Sequence, residues 1–183
     1  MLGDDWRWCP CCRSALERSS RGGRLRPTCP ACGFVFFAAA GVGAAVVVRD
    51  ASGRVLLVQR GRGPRVGQWC FPCGWVEWGE DVEAAARREA LEEAGVPVVL
   101  GKVLQVASNE HDPANPSVGI WYAATLADPA AIPRPGDDAR AVGWFALAAL
   151  PPLAFPTDAR LLARLRGAAR AKRDPSWSRK RSS

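Results

Sequence analysis

The chain is 183 residues long and 48% hydrophobic, which suits one full domain plus a small appendage. Its net charge of +7 is local: nine bases and one acid fall within 160–183, so the remainder is nearly neutral. No membrane span is expected, because the run FVFFAAAGVGAAVVV at 34–48 falls short of the ~20 residues that cross a bilayer; the start, MLGDDWRW, does not resemble an export signal, and a cytoplasmic protein is expected.

The first element rests on cysteine. Of seven cysteines, four fall as Cys9-x2-Cys12 and Cys29-x2-Cys32, with sixteen residues between the pairs. That spacing matches a four-cysteine zinc ribbon, in which soft thiolates hold Zn2+ tetrahedrally. Two disulfides are the alternative, which a reducing cytosol disfavours. Four thiolates leave no open coordination position, so the zinc is expected to be structural. It would contribute folding energy to a segment too small for its own core. The ribbon is assigned to 1–37, with RGGRLRP at 21–27 as a basic loop between the knuckles. Cys11 lies inside the first knuckle, and the x2 spacing favours Cys9 and Cys12 over it.

Residues 38–170 are assigned to the main domain. Segments 42–49 and 54–60 read as strands, with Asp50, Ala51, Ser52 and Gly53 as the turn that makes them a hairpin. Residues 61–67, GRGPRVG, read as a plain connector. An extended segment at 69–76 leads to a helix at 81–94, started by Asp81 and stopped by Gly95 and Pro97. It contains Cys70-x2-Cys73, read as two small buried thiols beside a strand end. Further strands are expected at 98–107, 118–126 and 141–146, and a Pro- and Gly-bearing loop at 128–138. A last helix begins at Thr157, with Leu161, Leu162 and Leu165 as its apolar stripe. Residues 171–183 are a basic tail expected to lack order; a solvated end is the blander reading and nucleic acid the partner such a tail would take. Mixed strands with one helix after the third run and another at the end fit an α/β/α sandwich with a mixed sheet.

The chemistry concentrates in 74–96, GWVEWGEDVEAAARREALEEAGV. On the helix, Glu89, Glu92 and Glu93 are spaced i, i+3, i+4 and share one face. Three carboxylates within a turn repel one another, which is tolerable where they hold hard divalent cations. A solvated acidic face is the alternative, but Gly74 and Glu80 upstream have no part in a generic helix. Arg88 is placed to pair with Glu80 and hold acids in position, Arg87 reads as a solvated helix charge, and Glu77 is open between metal binding and plain exposure.

The seven positions Gly74, Glu80, Arg88, Glu89, Glu92, Glu93 and Gly95 follow G-x5-E-x7-R-E-x-x-E-E-x-G. This resembles the signature of the Nudix hydrolases, which cleave a diphosphate attached to another group. The resemblance implies a Nudix domain at 38–170, Mg2+ or Mn2+ held by Glu89, Glu92, Glu93 and the Gly74 carbonyl, and catalytic roles for Glu89, Glu93, Arg88 and Glu80. Glu110, Asp112, Asp137 and Asp138 are further acids that would serve as base or complete the metal site, and His111 reads as a loop residue beside them. Trp78 and Trp121 are the candidate base-stacking residues, with Trp75, Tyr122, Phe34, Phe36 and Phe37 as others.

With its ribbon, the chain resembles the zinc-ribbon branch of that superfamily. Gln105 and Ser108 match part of the S-Q-P-W-P-F-P-x-S stretch of NADH diphosphatases, whose tryptophan–proline core is missing here. The helix approach is similar to the PCGxxExGE type of members that act on ADP-ribose, FAD or related compounds. The expected function is hydrolysis of a small nucleotide substrate of ADP-ribose, FAD or NADH type, by an enzyme that such relatives suggest is a homodimer. The alternative is a non-catalytic nucleotide sensor with nucleic-acid contact through the ribbon and tail.

Overall fold

The N-terminal segment folds around its cysteines and a two-glycine turn. In this computed structural model, which describes residues 6–109 and 112–173, β1 (Glu17–Arg21) and β2 (Arg24–Thr28) pair antiparallel. Gly22 and Gly23 join them with φ of 60° and 75°, the left-handed pair that a tight hairpin turn needs. Residues 21–27 are therefore not the expected loop: two glycines confine the turn, and the arginines around them continue as strand. Two knuckles of matching shape flank the hairpin. The Cys9 amide donates to Ser14 O and the Cys29 amide to Phe34 O, while Arg13 and Gly33 donate back to Cys9 O and Cys29 O.

The main domain has β3 (Gly41–Val48), β4 (Val55–Arg60), β5 (Trp69–Cys70), β6 (Cys73–Trp75), α1 (Val82–Ala94), β7 (Val98–Asn109), β8 (Ser117–Leu126), β9 (Ala139–Phe145) and α2 (Pro156–Arg173). One sheet has the order β6-β3-β8-β7 and is mixed, with β3 parallel to β8; the other is antiparallel, β5-β4-β9. Alternation along β3 and β4 builds two cores. Ala44, Val46, Val48, Leu56 and Val58 pack with Ala85, Ala86, Ala90 and Ala94 of α1. Ala45, Val47, Val55 and Leu57 pack with Phe71, Trp121, and Leu161 and Leu162 of α2. Strands covered on both sides by helices give the expected α/β/α sandwich.

Two expectations about pairing are corrected. The turn after β3 forms, with Asp50 accepting from the Arg54 amide at 2.8 Å and from its guanidinium at 2.6 Å. Yet β3 and β4 share a single bridge, Arg49 with Val55, and then enter different sheets. A half-solvated hairpin would waste the apolar residues that both strands carry on both faces. The segment 69–76 is likewise two strands, β5 against β4 and β6 against β3. The bend between them is Phe71 and Pro72: the Phe71 ring is fully buried and Pro72 O accepts from the Val46 amide at 3.0 Å.

Helix α1 is closed at both ends. The Asp81 carboxylate accepts from the Glu83 and Ala84 amides at 3.0 Å, and Gly95 takes φ of 67°. The 128–138 loop crosses its end, where the Arg134 and Gly136 amides donate to Ala94 O and Glu93 O. Helix α2 reaches Arg173, past the expected boundary at 170; residues 174–183 lie outside the described residues. Among the described residues no helix is long and apolar enough to cross a membrane. Asp81→Ala is expected to cost ~1 kcal/mol and to lower the melting temperature by about 2–4 °C; an unchanged thermal melt would show that the cap does not contribute.

Candidate functional site

The site starts from a glycine that no other residue could replace without movement. A Cβ built on Gly74 would lie 2.0 Å from Glu89 Oε1 and 2.5 Å from its Oε2. Strand β6 thus brings bare backbone against a carboxylate of α1. One residue earlier, the Cys73 amide donates to Glu93 Oε2 at 2.9 Å. Glu89 and Glu93, four apart on the helix, therefore turn inward, with only 9% and 7% of their surface exposed. Burial raises both carboxyls. Glu93 is pushed up to about 8 by burial, with the Glu89 and Asp138 charges adding and the Cys73 amide opposing. Glu89 is raised by burial against the pull of Arg88.

Arg88 organises the outer acids. Its Nε and Nη2 grip Glu80 at 2.8 and 3.0 Å, the bidentate geometry that suits guanidinium and carboxylate. Nη1 donates to Glu89 Oε1 at 2.6 Å and Glu92 Oε2 at 2.9 Å, and Nη2 also donates to Trp75 O at 2.9 Å. The guanidinium holds Glu80 down at about 2, with the Glu77 amide helping. One arginine thereby ties β6, the loop before α1 and three acids together.

Beside β6 opens a cleft of about 440 Å³. Gly74, Trp75 and Cys73 form one wall, Trp121, Asp158 and Thr157 the inner wall, and Arg60, Arg65 and Phe155 another part of the lining. Both guanidiniums sit over the Phe155 ring, 5.2 and 5.7 Å from its centroid.

The expected residues divide as follows. Glu92 differs from its neighbours in exposure: its side chain is 46% exposed, and it shares Arg88 Nη1 with Glu89. Among the described residues, the four cysteines are the one set of three or more ligand groups whose atoms lie within 4.8 Å of one another. Glu77 and Arg87 are exposed, Arg87 paired with Glu83 at 2.8 Å. Trp121 lines the cleft, as does Trp75, whereas Trp78 stands fully in solvent outside it. Tyr122 is buried under α1. Asp112 lines the cleft, Asp138 acts on Glu89 and Glu93 through its charge, and Asp137 pairs with Arg62 at 2.9 Å. Glu110 and His111 lie outside the described residues.

Asp158 was not foreseen. It is 2% exposed, accepts from Trp121 Nε1 at 2.9 Å and the Phe71 amide at 3.3 Å, and is pushed up to about 7 by burial. Asn109 was also missed; it accepts from Thr157 Oγ1 at 3.2 Å and donates to Ser117 Oγ at 3.1 Å along the same wall. The one available signal was their position at element ends, Asp158 in the first turn of α2 and Asn109 at the end of β7.

The cysteine cluster is well formed. Cys9 Sγ lies 3.5 Å from Cys32 Sγ, and Cys12 Sγ 3.4 Å from Cys29 Sγ. These are far longer than a disulfide and near the ~3.8 Å edge of a tetrahedron built on ~2.3 Å metal–sulfur bonds. Hydrogen bonds from the Ser14 side chain and backbone pull the Cys12 thiol down to about 6. The cluster fits a zinc ribbon. Cys11 is exposed and outside it, and Cys70 and Cys73 are free thiols at the sheet bend.

Residues 39–165 match the NUDIX domain family. The chain is 35% identical over 103 residues to an ADP-ribose pyrophosphatase of Methanocaldococcus jannaschii, covering 56% of this chain and 60% of that protein. It is 31% identical over 170 residues to the NAD-capped RNA hydrolase NudC of Deinococcus radiodurans, covering 85% of this chain and 55% of that one. The chain thus spans little more than half the length of these curated relatives. A NUDIX hydrolase from Nitrosomonas europaea superposes with a TM-score of 0.76 at 26% identity, over 87% of this chain and 89% of that chain. Since the family match takes in most of the sequence, including the helix that carries the acids, this chain belongs to the Nudix family.

Proposed function

We propose that this protein is a metal-dependent pyrophosphohydrolase that cleaves a nucleoside diphosphate linked to a second moiety, of ADP-ribose, FAD or NADH type. The observation that carries this reading is the buried pair Glu89 and Glu93, packed against the bare backbone of Cys73 and Gly74 at the edge of the cleft. Two desolvated carboxylates whose charges act on one another are costly unless a cation or proton relieves them. Their oxygens, with Glu92 and the Gly74 carbonyl, are the donor set that a hard divalent cation prefers. Bound Mg2+ or Mn2+ would supply neutralisation of the diphosphate and a more acidic water.

The residues divide the work that remains. Water attacks one phosphorus in line, the anhydride P–O bond breaks and a phosphomonoester departs. Glu89 or Glu93 accepts the proton of that water. Arg88, anchored on Glu80 and Trp75 O, holds Glu89 and Glu92 at their angles. The cleft walls take the rest of the substrate, with Trp121 on the inner side. At the other end of the chain, Cys9, Cys12, Cys29 and Cys32 hold structural Zn2+, and the sulfur spacings support that assignment.

Three outcomes test these assignments. Glu92→Gln and Glu93→Gln are each expected to lower kcat on ADP-ribose, FAD or NADH with Mg2+ or Mn2+ by ~10²-fold or more; full turnover in both variants would sink the acid-cluster reading. Gly74→Ala is expected to push Glu89 aside and to lower kcat by ~10²-fold, read in the same assay, while the zinc content stays unchanged. Elemental analysis of protein purified under reducing, chelator-free conditions is expected to find zinc near stoichiometry, and Cys29→Ser to lose it; a content near zero in the native protein would rule out the zinc ribbon.

A further inference from the structure

We propose that one face of the ribbon hairpin is a docking surface for single-stranded nucleic acid, with phosphates on Arg21, Arg24 and Arg26 and a base against Phe37. The register of β1 and β2 sets Arg21 opposite Arg24 and Ser19 opposite Arg26. Cross-strand partners point to the same side, as do residues two apart on a strand. The three guanidiniums therefore share one face at the tip of the hairpin. Arg21 and Arg24 are exposed, and like charges directly opposite one another weaken a hairpin. Such a pair is a liability to the fold that an anionic partner removes.

Charge complementarity points the same way. Over 6–37, six arginines (7, 13, 18, 21, 24 and 26) stand against one acid, Glu17, with Asp4 and Asp5 just before. Glu17 pairs with Thr28 at the far end of the hairpin. Four thiolates around a divalent zinc would subtract only part of this excess. A second basic run, Arg49 to Arg65, holds five arginines against Asp50, but Asp50 and Asp137 pair with Arg54 and Arg62 there and Arg60 and Arg65 line the cleft.

Flat rings accompany the charge. The Arg26 guanidinium lies 4.5 Å from the centroid of Phe37, a ring that is 63% exposed. Trp8 is 67% exposed, and Trp6 stacks on Phe36 at 4.5 Å and 21°. A guanidinium beside an exposed aromatic ring, as Arg26 lies beside Phe37, suits a phosphate and a stacked base side by side. A lipid surface is the poorer fit: the exposed aliphatic residue of the hairpin, Leu25, pairs with Ser20 and so points to the opposite face. None of the residues lining the cleft comes from the ribbon, so this surface and the hydrolytic site stand or fall separately.

The test is fluorescence anisotropy with a labelled short polyuridine strand and the full-length, zinc-loaded protein, titrated at several salt concentrations. The native protein is expected to bind in a salt-dependent way. The triple variant Arg21→Ser, Arg24→Ser, Arg26→Ser is expected to bind at least ~10-fold more weakly at low salt and to flatten the slope of log K on log salt by ~2, from ~0.7 per phosphate contact. Its zinc content should not fall; because the variant also loses the Arg26 contacts to Phe37 and Arg21 O, affinities are compared below the melting temperature of both proteins. Phe37→Ala is expected to weaken binding roughly fivefold or more with little change in that slope. Equal affinity of the native and triple-variant proteins, or no binding by the native protein, would overturn the proposal. So would binding that survives the triple variant and vanishes on removal of residues 171–183, or equal arginine-dependent binding to phosphatidylserine vesicles.

Discussion

Gly74 leaves room for the Glu89 carboxylate where any side chain would collide with it, and the local architecture is arranged around that close packing of backbone and acid. A side chain at 74 would displace the Glu89 carboxylate from its place against β6. The contact is costly on its own terms, because it leaves a carboxylate with little water. Arg88 offsets part of that cost for Glu89, and the Cys73 amide does so for Glu93. Glu93 receives less compensation, which is why its carboxyl is raised so far. The fold thus leaves two poorly hydrated carboxyls beside the diphosphate and cation site proposed above.

That arrangement needs a rigid frame on both sides. The bend at Phe71 and Pro72 supplies it by sending β5 into one sheet and β6 into the other. Phe71 fills the core under α2, while its amide reaches the buried Asp158 at the start of that helix. Asp158 in turn orients Trp121 on the inner wall of the cleft. Cleft geometry and core packing are therefore set by the same few residues. A change to the core around Phe71 would be felt at Trp121 through Asp158, without touching the glutamates of α1.

How much of this was legible in the sequence depends on how local each cause is. Helix α1 was readable because Asp81 and Gly95 act within one turn of its ends. The knuckles were readable because Cys-x2-Cys spacing is itself the constraint. The pairing of β3 and β4 was misread for the converse reason. The Asp50 turn is local chemistry, but the choice of partner follows from burial on both strand faces, which depends on helices far along the chain. Periodicity set Glu89, Glu92 and Glu93 on one face; it does not reveal that β6 covers two of them and leaves Glu92 to Arg88. Asp158 reads in sequence as an ordinary acid near a helix start, and its burial comes from Trp121 and Phe71, which are remote from it in the chain.

The steadying of Glu93 has a quieter implication. What reaches that carboxylate from position 73 is a main-chain N–H, not a thiol. Any amino acid other than proline carries the same group. The hold on the acid is therefore independent of the sulfur, whose own surroundings are the two cores and the Cys70 thiol, so only a residue of similar size could take its place.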